Sequence, residues 1–144
     1  MMYLLDTNVL SELRKLGDGK ADGNVTAWFA ERDAALCYVS VICLMEIELG
    51  ILLVERRDPV QGGRLRQWMD NHVLPEFAER TLPVDTTVAL RCASLHVPDP
   101  RSNRDAFIAA SALVHGMSVV TRNVRDFEPT GVRAINPWMP ESQK

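Results

Sequence analysis

The chain has 144 residues, the size of one domain, and chains of this length hide roughly two thirds of their unfolded surface on folding. Its 47% hydrophobic and 24% charged residues exclude disorder, a collagen-like repeat and a disulfide scaffold. Sixteen Lys and Arg against nineteen Asp and Glu leave a net charge of −3, which at first sight speaks against a nucleic-acid partner, because phosphate backbones attract cations.

A short apolar run, Tyr3-Leu4-Leu5, stops at Asp6-Thr7-Asn8, residue types that cap helices; Val9, Leu10 and Leu13 follow at helical spacing. This predicts a buried strand feeding straight into a helix. After a Gly-rich loop over 17–23, Val25, Trp28 and Phe29 outline one helix face, and Leu36 to Ser40 reads as a strand. Val41 to Val54 is helical, with Ile42, Met45, Leu49, Leu52 and Leu53 as the expected inward face. Arg57-Asp58-Pro59 breaks it. Leu65, Trp68, Met69 and Val73 then repeat the helical pattern up to Pro75. Leu82-Pro83-Val84 is too short to assign alone. Asp85-Thr86-Thr87 caps a helix carrying Val88, Leu95 and Leu90, and Asn103 to His115 is a helix with Phe107, Ile108, Ala112 and Leu113 inward. Met117–Thr121 and Val132–Ile135 complete the strands. Strands alternating with helices call for parallel pairing through helical crossovers: an α/β fold, three-layer α/β/α, with a central mostly parallel sheet over residues 1–144 as a single domain. In such sheets ligands bind outside the carboxyl ends of the strands.

Cys37, Cys43 and Cys92 form an odd set without CxxC or paired His, so structural zinc and a disulfide framework are not expected. The N-terminus lacks a basic region and meets Asp6 early, unlike a signal peptide, and no apolar run approaches the ~18 residues of a membrane span. A soluble, cytoplasmic protein is expected, with no membrane partner. No GxGxxG, GxxxxGK[ST] or GxSxG is present. His72, His96 and His115 share no ligand spacing, and Trp28, Trp68 and Trp138 read as core or interface fillers.

Acidic and amide residues recur where the strand rule points. Asp6 ends the first strand. Glu46 interrupts an apolar helical stretch, with Glu48 about 200° around the helix, so the two cannot share an environment. On the Ile42 side, Glu46 is costly to bury unless a cation neutralises it. Asp105 opens a helix made thin by Ala109-Ala110-Ser111-Ala112, and Asn123 and Asp126 follow the Val119–Thr121 strand. Each alone is explained by capping or turn chemistry, or for Glu46 by a partly exposed surface position. Together, four separated segments converge on one sheet edge. Clustered carboxylates are tolerated around a divalent cation. An all-oxygen site suits Mg²⁺ or Mn²⁺, and its natural chemistry is phosphodiester hydrolysis. Arg101, Arg104 and Arg122 flank the cluster as candidates for contacts to a substrate phosphate.

These residues also carry a resemblance. Leu4-Leu5-Asp6-Thr7-Asn8-Val9-Leu10-Ser11-Glu12, Glu46-Ile47-Glu48-Leu49-Gly50, Asp105 to Ala112, Thr121 to Phe127 and Asn136-Pro137-Trp138 stand in order along nearly the whole chain. In this set the sequence resembles PIN-domain proteins of the VapC toxin family, FitB-like branch. The resemblance implies a Rossmann-like α/β/α fold, a homodimer, and Mg²⁺- or Mn²⁺-dependent cleavage of RNA leaving a 5′-phosphate and a 3′-hydroxyl. It also implies a cognate VapB-like antitoxin and, with it, a larger complex on operator DNA.

By the same resemblance Asp6, Glu46 and Asp105 match the first three family acids, with Asp6 and Asp105 as metal ligands and Glu46 as ligand or water-orienting group. Thr7, Asn8 and Thr121 would support them. The resemblance makes the substrate of Arg101, Arg104 and Arg122 RNA, and offers an antitoxin's acidic groups as their other partner. The fourth acid is replaced by Asn123, and Asn123 and Asp126 both stay open as its substitute. The leading expectation is a metal-dependent endoribonuclease toxin. The alternative is a weakly or non-catalytic PIN dimer acting with an antitoxin in DNA binding and repression. A phosphatase is disfavoured, because Asp6-Thr7-Asn8 lacks a second Asp two residues on.

Overall fold

The structure, a computed structural model, describes residues 1–140. Its centre is β1 (Tyr3–Leu5), whose Leu4 and Leu5 point to opposite faces and are both fully buried. A strand covered on both faces reads as a continuous apolar run, as this one does. On one side lie β2 (Cys37–Ser40) and then β3 (Thr81–Leu82); on the other lie β4 (Ser118–Val120) and then β5 (Ala134–Ile135). The sheet order is β3-β2-β1-β4-β5, and every pairing is parallel. Tyr3 is in register with Cys37 on one flank and Ser118 on the other. The expected α/β architecture is therefore present, and its sheet is wholly parallel.

From β1 the chain winds outward through β2 and β3, then returns past β1 to build β4 and β5. That reversal opens a crevice beyond the carboxyl ends of β1 and β4, the place where open parallel sheets bind ligands.

The crossovers are α1 (Thr7–Arg14), α2 (Gly23–Ala30), α3 (Val41–Arg57), α4 (Pro59–Trp68), α5 (Leu74–Glu76), α6 (Thr86–Ser94), α7 (Asn103–His115) and α8 (Val124–Phe127). The caps follow the sequence signals. Asp22, Asp58, Asp85 and Ser102 each accept backbone N–H groups at the start of α2, α4, α6 and α7. Gly116 ends α7 in the left-handed region at φ 68°, which a side chain would disfavour. Gly62 lets α4 press onto α3, since a Cβ there would lie 2.5 Å from the Glu55 Cα.

Three expectations change. Pro75 does not stop the α4 segment: a π turn over Met69–Val73 widens the helix just ahead of the proline, and α5 continues to Glu76. Leu90 is exposed, and α6 turns Val88 and Cys92 inward instead. Most consequential is α3. Its buried stripe is Cys43, Ile47 and Ile51, while Met45, Leu49, Leu52 and Leu53 face outward. This helix is apolar on two sides, and periodicity alone cannot say which of two apolar stripes meets the sheet. None of the described helices is long and apolar enough to cross a membrane.

Candidate active site

Asp6 is the first residue beyond β1, and its N–H still pairs with Val120 of β4 at 2.9 Å. It also caps α1, accepting the Thr7 N–H at 2.8 Å. Capping and site placement thus coincide in one residue. Its side chain is only 1% exposed, a position where an uncompensated charge would be strongly destabilising. Compensation comes from two sides. Thr121, just past β4 and fully buried, donates its hydroxyl to Asp6 Oδ2 at 2.8 Å. Arg104, in the first turn of α7, donates Nη2 to Asp6 Oδ1.

Arg104 also reaches the other two acids. Its Nε donates to Glu46 Oε2 at 2.6 Å and its Nη1 to Asp105 Oδ1 at 2.7 Å. Thr7 donates its hydroxyl to Glu46 Oε1 at 2.6 Å. Asp6 from the end of β1, Glu46 from the second turn of α3 and Asp105 from the first turn of α7 therefore surround one guanidinium. Burial works against the Arg104 charge, but Glu46 and Asp6 outweigh it, and its pKa lies above the ordinary arginine value.

The floor of the crevice is a small polar network. Thr121 Oγ1 accepts the Asn123 N–H at 3.0 Å and an Asn8 Nδ2 hydrogen at 3.4 Å, while Asn8 Oδ1 accepts the Arg122 N–H at 3.2 Å. Asn136 Nδ2 donates to the Arg122 carbonyl at 3.5 Å, and its Oδ1 accepts the Trp138 N–H at 2.9 Å. The Arg122 guanidinium lies 5.0 Å from the centre of the Trp138 ring. The loop after β4 is thereby tied to the start of α1 and to the segment after β5.

Asp6, Glu46 and Asp105 are brought together, with Thr7, Asn8 and Thr121 in hydrogen-bonded support. Asn123 meets this network through its backbone N–H on Thr121, and Asp126 lies in the helix that follows. Both are exposed, Asn123 makes no side-chain cap to α8, and the Asp126 side chain has no polar partner among the described residues. Glu48 is separated from Glu46 as the helix geometry requires, and pairs with Arg66 of α4 at 2.6 Å.

Two of the three arginines expected at an RNA-facing rim have partners within the chain. Arg104 lies inside the acidic cluster as its counter-charge. Arg101 directs Nε to the Leu95 carbonyl at 2.5 Å, bracing the loop between α6 and α7. Arg122 remains exposed beside the crevice. Sequence reasoning also passed over Cys43, whose Sγ lies within 4.8 Å of an Asp6 and a Glu46 oxygen. Its spacing, three residues before Glu46 on one helix, is the signal that could have found it.

The donor chemistry fits a hard divalent cation. Asp6 and Glu46 bring carboxylate oxygens within 4.8 Å of each other, and Asp105 is joined to them through Arg104; carboxylate oxygens are the donors that suit Mg²⁺ or Mn²⁺. Cys43 adds a soft sulfur beside these oxygens: burial pushes its thiol up to about 12 and it donates to the Leu5 carbonyl at 3.7 Å, and sulfur suits Mg²⁺ or Mn²⁺ less well than the carboxylates do.

Comparison with known proteins agrees with this geometry. Residues 3–131 match the PIN domain family. The plasmid stability protein StbB of Pseudomonas syringae pv. tomato is 36% identical, over 95% of this chain and 99% of its own. The VapC ribonuclease Y4jK of Sinorhizobium fredii is 35% identical, over 96% and 99%. Among solved structures, FitAB bound to an IR36 DNA fragment superposes with a TM-score of 0.86 at 33% identity, covering 97% of this chain and 98% of that one. With the acids at the strand ends and these relatives along its whole length, the chain belongs to the PIN-domain family, among proteins named VapC and FitB.

Proposed function

We propose that this chain is a divalent-cation-dependent endoribonuclease of one catalytic domain, acting in the cytoplasm as the toxin of a toxin–antitoxin pair. The observation that carries the reading is the convergence of Asp6, Glu46 and Asp105 beyond β1 and β4. The ribonuclease name of a relative 35% identical over nearly the full chain supports the substrate class. Asp6 and Asp105 would hold the cation, with Glu46 as third ligand or as the acceptor that orients a water. Bound there, Mg²⁺ or Mn²⁺ supplies Lewis acidity toward a phosphodiester and lowers the pKa of a coordinated water.

The chain's own groups do the positioning. Thr121 and the Thr7 N–H fix both oxygens of Asp6, the Thr7 hydroxyl aims Glu46, and Asn8 holds Thr121 and the Arg122 backbone in place. Arg122, exposed and set against Trp138, would meet an RNA phosphate. The local cations answer the net charge of −3: repulsion at the acids is removed by metal, and phosphate is met by a side chain at the rim.

The test is cleavage of structured RNA by purified protein with Mg²⁺ and with EDTA. Cleavage in Mg²⁺ that EDTA abolishes is the expected result; cleavage that persists in EDTA overturns the mechanism.

A second reading, a binding partner in an antitoxin complex on operator DNA, is favoured by the outer face of α3. There Met45, Leu49, Leu52 and Leu53 are each more than half exposed, the kind of contiguous apolar surface that a second copy or an antitoxin covers. It leads if the co-expressed complex retards DNA while the free chain cuts no RNA in Mg²⁺.

A further inference from the structure

We propose that Arg104 is a built-in occupant of the acidic site, an internal cation that a divalent ion must displace. This rests on the metal-binding reading above and adds to it a competition within the chain. The guanidinium engages the oxygens that ligation would use: Asp6 Oδ1, Glu46 Oε2 and Asp105 Oδ1. A fourth contact, Nη2 to the Thr7 hydroxyl at 3.3 Å, seats it among the carboxylates rather than over them.

Local structure argues that Arg104 sits there because of the acids. It is the second residue of α7, where the positive end of the helix dipole disfavours a cation. The three carboxylates offset that penalty and the guanidinium's partial burial. Arg104 also precedes Asp105 directly, so a change of its side-chain rotamer clears the site while the Asp105 backbone stays fixed. The side chain is 30% exposed, and the residues just ahead of it, Ser102 and Asn103, lie at the surface. The way out is open to solvent.

The consequence is a site whose carboxylates are only partly neutralised without metal, by one internal guanidinium, and which releases that arginine when metal enters. Removing Arg104 leaves the buried Asp6 with its Thr121 and Thr7 hydrogen bonds but without a counter-charge in the metal-free protein. The same change frees three carboxylates for the ion. Affinity for metal and stability without metal should therefore move in opposite directions.

The experiment is Mn²⁺ binding by calorimetry and thermal melting in EDTA and in Mn²⁺, on wild type, R104Q, R104K and D6N. R104Q is expected to bind Mn²⁺ at least about tenfold more tightly than wild type. It should melt lower than wild type in EDTA and recover most of that deficit in Mn²⁺. R104K, with a smaller donor head on a similar stem, should fall between the two and stay folded. R104Q and R104K binding Mn²⁺ no more tightly than wild type, while D6N loses binding, overturns the displacement alone. Absence of Mn²⁺ binding in every variant overturns the metal-binding reading with it.

Discussion

Two arginines in this molecule each bind several carboxylates, and they do different work. Arg66 of α4 holds Glu48 with two nitrogens, at 2.6 and 2.8 Å, and Glu55 with a contact at 3.0 Å. Both of its acids come from α3, two turns apart on one stripe. Arg104 binds Asp6, Glu46 and Asp105, from three elements that meet only in the folded chain. The Arg66 cluster fastens two consecutive helices whose approach Gly62 already permits. It lies near the surface, where screening leaves such pairs little net weight. The Arg104 cluster includes an aspartate that is almost wholly buried, next to a buried thiol and a buried threonine. Similar ion pairs are thus a clamp in one place and a poised site in the other. Burial and the number of contributing elements separate them.

The largest expected effect comes from exchanging one acid in each cluster. Asp6→Asn keeps the shape and the α1 cap but removes the charge. Partners behind metal ligands typically give losses of 10- to 100-fold, so loss of a ligand should lower Mg²⁺-dependent RNA cleavage by about a hundredfold or more. Glu48→Gln should leave the rate within about twofold, since a surface pair contributes little. Initial rates on one structured RNA check both. Equal losses in the two variants would erase the distinction between clamp and site.

This distinction was partly legible in the sequence. Strand–helix alternation points to a parallel sheet because a parallel pair needs a crossover, and the strand-end rule then selects Asp6, Asp105 and the residues after Val120. Helical geometry separates Glu46 from Glu48, and the cost of burying Glu46 calls for a cation. The identity of that cation was not legible. Arg104 looks like a rim arginine in the linear sequence because it neighbours Asp105, and its inward direction depends on acids 98 and 58 residues away in the chain. The α3 faces failed for another reason. Both stripes are apolar, so the pattern records that two surfaces of this helix avoid water without saying which one the sheet covers. Asn123 and Asp126 stay open as substitutes for a fourth acid, because turn polarity at a strand end is the same signal whether the side chain serves the crevice or meets solvent.

Thr121→Val tests the buried half of the comparison at constant volume. The Thr121 hydroxyl donates to Asp6 Oδ2 and accepts from the Asn123 N–H. Valine leaves a buried carboxylate oxygen and a backbone N–H without that partner, and such losses destabilise by about 1–3 kcal/mol. Chemical denaturation should show a drop in that range. RNA cleavage should fall by about 10- to 100-fold, since this hydroxyl orients a metal-binding carboxylate. A variant as stable and active as wild type would show that the Asp6 environment is no more demanding than the surface clamp.

The smallest effects are in the pH dependence of stability, and they should appear on opposite limbs. At the clamp, hydrogen bonds from Arg66 hold the Glu48 carboxyl below its ordinary value of 4.5. A group whose folded pKa is depressed stabilises the fold above its unfolded pKa and loses that contribution as the pH falls through the folded value. Wild type should therefore weaken below about pH 4.5 more steeply than E48Q, and salt should flatten the difference because the pair is exposed. Near the site, burial raises the Cys43 thiol from 9.0 to about 12. Between those values the unfolded chain releases the thiol proton and the folded chain keeps it, so unfolding is favoured as the pH rises. Cys43→Ala should be destabilised by its small cavity at every pH, yet lose stability less steeply from pH 9 upward. The slope is the diagnostic, because the cavity does not titrate. Salt should leave this alkaline limb nearly unchanged, since desolvation rather than a screened pair produces it. Denaturation midpoints from pH 3 to 11 at two salt concentrations measure both limbs. If C43A falls as steeply as wild type above pH 9, the region beside Asp6 is not the dry environment that sets the Arg104 cluster apart from its surface counterpart.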